Sequence, residues 1–331
     1  MNPPAGRFAG DASIDAVFIS PHKFLGGPGS SGVLVFNKRI YNRELPPSVS
    51  AGGTVDYVGP TSQDFISRIE EREKAGTPGV LQIFKAGMAF QHKEEIGVEA
   101  SEKREKELLE RTFDRWRNSS NIEILGNPDP NRRISIVSFN LRDHQGKYLH
   151  PKFVTTLLND LFGIQSRAGC SCAGPYGHRL LDIDFERSEQ YRKWISKGYS
   201  GITPGWCRIS LHYTMDNIEA DYILDAIDFV AEWGHRFLPL YYFDMNTGAW
   251  THKVDCVCLE GFSLDAALEC GGYQSRALSR GERRTLYSAF LNEARQLAAE
   301  LDEPLTPGKQ DADQELESLK FFSVPDQSVS M

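Results

Sequence analysis

The sequence predicts an α/β protein with two lobes. Two short apolar runs, Ala16 to Ile19 and Val33 to Phe36, flank a glycine-rich loop and are typical of buried strands. Residues 121–236 alternate strand-like and helix-like patterns, which indicates a compact α/β lobe of its own. Residues 77–116 carry apolar side chains at helical spacing, which predicts that long helices join the two parts.

Individual elements follow from their boundary signals. Thr77-Pro78 opens a helical region, and a charged helix with Leu109, Phe113 and Trp116 on one face comes next. In the second lobe, Asp216 and Glu219 have the spacing of a capping box. The remaining predicted elements of this lobe are a strand over Ile134 to Leu141, a helix from His150-Pro151 to Gly163, and strands over Ile164 to Ala168 and Trp206 to Leu211.

The predicted domain organisation has four parts. Residues 1–120 form part of a larger domain, and residues 121–236 form the small α/β domain. Residues 237–303 are an extension of unknown role, in which Ser279 and Glu282 can cap a final helix. Residues 304–331 are polar and rich in Asp, Glu, Gln and Ser, which predicts a disordered tail.

Composition excludes several classes of binding partner and location. A formal net charge of −8 argues against a nucleic-acid surface and favours a small-molecule substrate. No apolar run reaches the roughly 20 residues of a membrane helix, and the start of the chain shows no secretory signal. Six cysteines in 331 residues favour reduced thiols over a disulfide scaffold, so we expect a cytoplasmic protein.

The segment S-P-H-K-F-L-G-G-P-G-S-S-G places Lys23 between a strand and a glycine-rich loop. It is not a P-loop, because the lysine precedes the glycines and no G-K-[ST] follows them. A Schiff-base lysine needs a fixed position, partial desolvation of its amine and nearby groups that bind a cofactor phosphate. Ser20 and His22 could bind that phosphate. On local composition alone, an ordinary surface lysine remains the simpler interpretation.

Further motifs support the catalytic interpretation. S-P-H-K-F-L-G-G-P-G-S-S-G-V-L resembles the pyridoxal-phosphate lysine segment of class V aminotransferases, which include cysteine desulfurases and selenocysteine lyases. In the same register, four later segments are similar to family motifs: A-G-G-T-V at 51–55, E-K-A-G-T-P at 73–78, R-A-G-C-S-C-A at 167–173 and C-R-I-S-L at 207–211. The resemblance implies a fold-type I transferase, with part of a mainly parallel large domain and a small C-terminal α/β domain.

The resemblance also implies site roles. Lys23 would form the aldimine with pyridoxal 5'-phosphate, with Ser20 and His22 at the phosphate. Thr77 would reach the phosphate of a neighbouring subunit's cofactor, which implies a homodimer with composite active sites, although Thr-Pro is also an ordinary helix start. Arg208 would hold the carboxylate of a small amino-acid substrate, with Arg167 as a second active-site arginine; a structural ion pair is the alternative for Arg208.

Cys172 indicates the reaction type. It matches the desulfurase cysteine that attacks the substrate sulfur to give a persulfide, and Arg167 can favour its thiolate. Cys170 stands where this group often has histidine, and an insertion over about Tyr176 to Gly201 could cover the site or re-aim the cysteine. The C-x-C pairs, Cys170/Cys172 and Cys256/Cys258, have a poor spacing for zinc, so no metal is expected.

The family's aspartate that pairs with the pyridine nitrogen lies about two dozen residues before its lysine, and neither Asp11 nor Asp15 has that spacing. The resemblance therefore predicts an N-terminally truncated cysteine desulfurase-like enzyme, inactive alone if the missing part is required. Two alternatives stay open. One is another class V activity, such as a transaminase, lyase or epimerase, and the other is a non-catalytic, partner-binding pseudoenzyme.

Overall fold

The computed structural model describes residues 13–254, 277–301 and 313–324. The chain divides into two compact units, Met1–Ser101 and Glu102–Met331. This division differs from the predicted boundary at residue 120, because helix α3 (Val98–Trp116) contains the division point and most of its residues belong to the second unit. Four of its side chains, Leu108, Leu109, Phe113 and Trp116, are buried in the core of that unit.

In the described residues of the first unit, two small antiparallel sheets precede two helices and the start of α3. Strands β1 (Ala16–Ile19) and β2 (Val33–Phe36) have the predicted bounds and pair with Ala16 opposite Phe36. Strands β3 (Val55–Val58) and β4 (Gln63–Phe65) form the second pair, followed by helices α1 (Ile69–Arg72) and α2 (Val80–Ile96). The described strands of this unit therefore pair antiparallel, whereas the resemblance predicts a mainly parallel sheet. The loop after β1 folds back through a series of turns, so that β2 returns antiparallel to β1.

The second unit is built on one four-stranded sheet. Its strands are β5 (Ile122–Ile124), β6 (Ile136–Leu141), β7 (Arg167–Gly169) and β8 (Trp206–Ser210), in the antiparallel order β5-β6-β8-β7. Its first helices are α4 (Pro151–Phe162), α5 (Gly174–Leu180), α6 (Phe185–Ile195) and α7 (Asn217–Trp233). Strands β9 (Tyr241–Phe243) and β10 (Trp250–His252) form a hairpin, and helices α8 (Arg280–Glu300) and α9 (Gln314–Leu319) complete the unit.

Local signals place the helix ends of this unit correctly. The Asp216 carboxylate accepts the amides of Ile218 and Glu219 at 3.1 and 3.0 Å and so begins α7. Gly163 ends α4 with a left-handed φ of 64°, as predicted. The predicted capping box between Ser279 and Glu282 is present at the start of α8. These caps depend on residues within one turn of each other, which explains why the sequence reveals them.

The described residues after 236 belong to the folded second unit. In α8, Leu291, Ala294 and Ala298 are buried in the same core as the sheet and α4. The predicted disorder of residues 304–331 is wrong for residues 313–324, which include α9. Leu316 and Leu319 are buried there with Tyr191 and Trp194, two residues of α6. A polar segment with a few well-spaced apolar residues can still be ordered when those residues find a partner surface.

Replacing Leu319 by alanine is expected to lower the free energy of unfolding by about 2–4 kcal/mol, because Leu319 is completely buried in this second cluster. Urea denaturation followed by fluorescence of the chain's tryptophans measures the change. Gln314→Ala, an exposed change in the same helix, serves as the control and is expected to cost well under 1 kcal/mol. Equal stability of the two variants would show that α9 does not contribute to the core.

Two further observations concern membranes and metals. In the described ranges, no helix combines the length and apolar character that crossing a bilayer needs. The same ranges contain no group of three or more His, Cys, Asp or Glu side chains placed to hold a metal ion. Cys256, Cys258 and Cys270 lie outside the described residues.

Candidate active site

Lys23 is presented by a short turn directly after β1. Pro21–Lys23 form one turn of 3-10 helix, in which the Lys23 amide donates to the Ser20 carbonyl at 3.0 Å. Two more turns follow, from Gly27 to the Phe24 carbonyl and from Ser30 to the Gly27 carbonyl, both at 2.9 Å. The glycine-rich segment is therefore a chain of hydrogen-bonded turns, so that the Lys23 backbone has a fixed position.

Glycine is required at position 27 of this loop. A Cβ atom at Gly27 would lie 1.8 Å from the Pro21 carbonyl oxygen, so any other residue would force the two turns apart. Phe24 packs edge-on against Phe90 of α2, with ring centroids 5.2 Å apart. The Ser31 amide donates to the Gln82 carbonyl of the same helix at 3.1 Å. The loop is thus closed on itself and anchored to α2.

The side chains around Lys23 are open to solvent. His22 and Lys23 are exposed and Ser20 is half-buried. The Lys23 side chain forms no hydrogen bond or ion pair with another described residue, and residues 16–36 contain no aspartate or glutamate. The desolvated amine expected from the sequence is not provided by the described residues of the first unit. The segment instead offers a hydroxyl, an imidazole and an ammonium group within four residues, a donor set that suits an anion.

The second and third motifs of the first unit are joined to each other. The Gly76 amide donates to the Gly52 carbonyl at 2.8 Å, and both Gly53 and Gly76 have left-handed φ values. The Glu73 carboxylate accepts the Tyr41 hydroxyl at 2.5 Å and the Ser48 amide at 3.1 Å. These hydrogen bonds, that of Tyr41 first, lower the pKa of Glu73. Glu73 is therefore a fixed anchor of this loop, a role that sequence reasoning missed although the glutamate belongs to the motif.

Thr77 follows directly after this junction. Its side chain is exposed, just before Pro78 and the start of α2. The helix has no side-chain cap at its N-terminus, so the Thr77 hydroxyl is not engaged in holding the helix. An exposed hydroxyl at this position is compatible with the role that the resemblance implies for Thr77.

Arg167 and Arg208 are brought together by the sheet of the second unit. They lie directly opposite each other on β7 and β8. Cys207 and Ile209 of β8 point into the core, so Arg208 lies on the other face of the sheet. Neither guanidinium forms an ion pair with a carboxylate of the described residues. Like charges directly opposite on paired strands repel each other, and a bound anion would remove this repulsion.

The cysteine motif forms a tight reversal after β7. The Ala173 amide donates to the Cys170 carbonyl at 3.0 Å, and the two central residues, Ser171 and Cys172, have φ values of 52° and 62°. Such values are uncommon for residues other than glycine and store backbone strain, which is typical of functional turns. The base of the turn is closely packed, because a Cβ at Gly205 would lie 2.7 Å from the Gly169 Cα.

The three described cysteines have different environments. Cys172 is exposed, and its Sγ lies 3.5 Å from Nη2 of Arg167. Cys170 is also exposed, whereas Cys207 is completely buried, and burial raises the pKa of its thiol. A nearby guanidinium favours a thiolate, and exposure permits its reaction. Cys172 is thus the described cysteine best suited to act as a nucleophile, as the sequence predicts.

The inserted segment forms α5 and α6 beside this turn. Together with β8 these helices enclose a cavity of about 160 Å³, whose lining includes Cys170, Tyr191 and Trp206. His178 lies here but is engaged with the Gly174 carbonyl at 2.8 Å and the Ser188 hydroxyl at 2.9 Å. The insertion therefore packs against the cysteine turn from the Cys170 side.

Comparison with known proteins identifies the family of this chain. A family model described as aminotransferase class-V matches residues 10–223, nearly two thirds of the chain and all five motifs. The chain belongs to the class-V aminotransferase family. This confirms the resemblance, and members of this family use pyridoxal 5'-phosphate.

Several curated relatives and a solved structure are similar to this class-V chain. Probable cysteine desulfurases of Staphylococcus epidermidis and Halalkalibacterium halodurans are each 32% identical to it, over 165 and 173 residues. These matches cover 50% and 52% of the chain but 38% and 39% of the relatives. The apo structure of cysteine desulfurase from Thermococcus onnurineus NA1 is similar with a TM-score of 0.50 and 23% identity, covering 66% of this chain and 47% of that one. The chain thus spans about two fifths of the length of these curated relatives, and its fold is that of a class-V enzyme.

The residues present fit the family's cofactor at its phosphate and carbonyl ends. Ser20, His22 and Lys23 supply donors and an amine in a rigid, carboxylate-free turn. Asp15 forms an ion pair with Arg39 at 3.3 Å and is not free to pair with a ring nitrogen, while Asp11 lies outside the described residues. The fit therefore rests on the lysine turn.

Proposed function

We infer that this class-V chain carries cysteine desulfurase-like chemistry, in which the sulfur of cysteine is transferred to Cys172. The observation that carries this proposal is the exposed Cys172 in a strained turn, with the Arg167 guanidinium 3.5 Å from its sulfur and Arg208 opposite Arg167. The curated relatives named as cysteine desulfurases support it. Cysteine and the enzyme thiol would give alanine and an enzyme persulfide, a transfer in which all atoms balance.

The first unit would supply the cofactor-binding groups. The Lys23 amine would hold pyridoxal 5'-phosphate covalently and carry the substrate α-proton, with Ser20 and His22 donating to the phosphate. When bound, the cofactor supplies an electron-withdrawing ring. Thr77 would bind the phosphate of a partner subunit's cofactor, so that the active form would be a homodimer with composite sites. Exposed, unpaired Cys170 and Cys172 fit a reducing compartment such as the cytoplasm.

The second unit would supply the substrate-binding and transfer groups. Arg208 would bind the α-carboxylate of cysteine, since its fork of donors matches a carboxylate and it has no ionic partner among the described residues. Arg167 would orient the Cys172 sulfur through their 3.5 Å contact. The persulfide would form when the Cys172 thiolate attacks the cysteine sulfur and the carbon–sulfur bond breaks.

The proposal is tested with the full chain, pyridoxal 5'-phosphate and cysteine as the only sulfur source, by measuring sulfide after reduction and alanine in parallel. Equal amounts of both products are expected. Amino-acid conversion without sulfide would favour another class V activity, and the absence of any visible absorption from a lysine-bound cofactor would favour a non-catalytic partner protein.

Arg208→Gln is expected to raise KM for cysteine by about 10-fold or more, because a charged hydrogen bond to the carboxylate is worth about 1.5–3 kcal/mol. Arg208→Lys should restore part of the affinity, since it keeps the charge but loses the fork. Steady-state kinetics measures the change. The control is Arg187→Gln, an arginine of α6 that is bonded to the Ser318 carbonyl, for which KM should stay unchanged. A normal KM in Arg208→Gln would assign Arg208 a structural role.

A further inference from the structure

Cys170 shares a turn with Cys172 and has no part in the transfer step described above. The two residues are both exposed, whereas the hydroxyl of Ser171 between them is buried and has no hydrogen-bond partner. The turn therefore exposes two thiols and hides the polar group that separates them. This arrangement is unusual, because a serine would ordinarily be the solvent-facing residue of a polar turn.

Cys170 and Cys172 are two residues apart in one turn, which limits the distance between their Cα atoms to about that of a disulfide. Residues two apart in a chain are separated by at most about 7 Å between Cα atoms, and the hydrogen bond from Ala173 to Cys170 curls this segment further. Disulfides form when Cα atoms are roughly 4.4–6.8 Å apart. The left-handed φ values of Ser171 and Cys172 produce this reversal immediately at the thiols.

The surroundings of the two thiols are asymmetric. Cys172 is exposed and has the Arg167 guanidinium 3.5 Å from its sulfur. Cys170 instead lines the cavity of about 160 Å³, together with apolar side chains such as Ile183 and Trp206. Cys172 is therefore the thiol that takes up sulfur first, and Cys170 remains a free thiol two residues away.

We propose that Cys170 is a second catalytic cysteine that discharges the Cys172 persulfide by forming a Cys170–Cys172 disulfide. The Cys170 thiol loses its proton to solvent, and its thiolate attacks the Cys172 sulfur. The bond between Cys172 and the outer sulfur breaks, and the outer sulfur leaves as hydrosulfide. The outer sulfur is reduced to the sulfide level, the Cys170 sulfur is oxidised to the disulfide level, and the Cys172 sulfur keeps its oxidation level. The origin of the persulfide rests on the proposed function.

The disulfide must be reduced before a second cycle. A small or protein dithiol performs this reduction by thiol–disulfide exchange, and the exposure of both cysteines leaves the bond accessible to it. The product released by the chain is then free sulfide, and sulfur is not handed over as a persulfide. Related motifs often carry histidine at the position of Cys170. A cysteine at this position causes the sulfur to leave as free sulfide.

The test uses the full chain and loads the persulfide with inorganic polysulfide, which bypasses the cofactor and the substrate. Excess reagent is removed, and sulfide release is followed without reductant. Trypsin gives the peptide Ala168 to Arg179, in which Cys170 and Cys172 are the only cysteines, so that mass spectrometry reads this turn alone. As sulfide appears, the wild-type peptide is expected to have a mass two hydrogen atoms below that of the reduced peptide. Cys170→Ser should retain one added sulfur, with release slowed about 10-fold or more. Ser171→Ala is the matched control and should behave as wild type.

The outcome separates this proposal from the proposed function. A wild-type peptide that keeps its added sulfur as long as Cys170→Ser does would overturn the role of Cys170. A second arm supplies cysteine and pyridoxal 5'-phosphate instead of polysulfide. A persulfide formed in that arm without a later disulfide refutes only the present proposal. Disulfide formation with polysulfide but no reaction with cysteine supports Cys170 and refutes the desulfurase assignment.

Discussion

Lys23→Ala is expected to abolish sulfide release from cysteine, with a loss of about 1,000-fold or more, and to remove the visible absorption of the lysine-bound cofactor. The proposed role gives Lys23 both the covalent attachment and the proton transfer, and proton transfer by a positioned group alone contributes about 10²–10⁴-fold. The side chain is exposed and makes no hydrogen bond or ion pair with the described residues, so its removal should leave stability nearly unchanged.

The matched control is Lys38→Ala, an exposed lysine just after β2, which should keep the absorption and the activity. Borohydride reduction gives a second readout, because it fixes the cofactor on the lysine that holds it. Modification of Lys23 blocks trypsin there, so the label should appear on a peptide from Phe8 to Lys38. A label on a different lysine, or unchanged activity in Lys23→Ala, would refute the assignment.

Cys172→Ser is expected to lower sulfide release by about 1,000-fold or more while the absorption of the bound cofactor stays unchanged. A serine hydroxyl is a far poorer nucleophile than a cysteine thiol at neutral pH. Cofactor binding depends on the lysine turn of the first unit and does not involve this side chain. Sulfide assays and absorption spectra of the same samples measure both effects.

Two controls make the Cys172 result specific. Ser171→Ala changes the neighbouring residue of the turn without touching a thiol and should retain sulfide release. Thermal unfolding of Cys172→Ser should match that of wild type, because the side chain is exposed. Sulfide release that survives in Cys172→Ser would refute the persulfide mechanism but leave the cofactor assignment intact.

The positions of the functional segments could be predicted from the sequence because their signals are local. Ser20, His22 and Lys23 lie within one turn, and β1 and β2 have the predicted bounds because their apolar runs end at polar or glycine-rich residues. The Ser279 cap and the Gly163 helix end also depend on neighbours a few residues away. The family assignment follows from the same property, since five short motifs keep their order along the chain.

The remaining features depend on contacts between distant parts of the chain. The sequence indicates two arginines, but only the register of β7 and β8 places Arg167 directly opposite Arg208. The left-handed backbone of Ser171 and Cys172 likewise cannot be predicted from the sequence, because serine and cysteine rarely adopt this conformation. The tail was predicted to be disordered because it is polar, whereas Leu316 and Leu319 are buried against α6, far away in sequence.

The sequence alone therefore determined which residues are candidates for the chemistry: Lys23, Cys172 and Arg208, each within a motif of a few positions. Only the tertiary structure decided which groups lie beside these residues. It pairs Arg167 with Arg208 across β7 and β8, and it exposes Cys170 and Cys172 on one tight turn. The physical reason is that residue type and spacing fix local hydrogen bonding, whereas strand register, burial and charge proximity arise only when distant segments pack together.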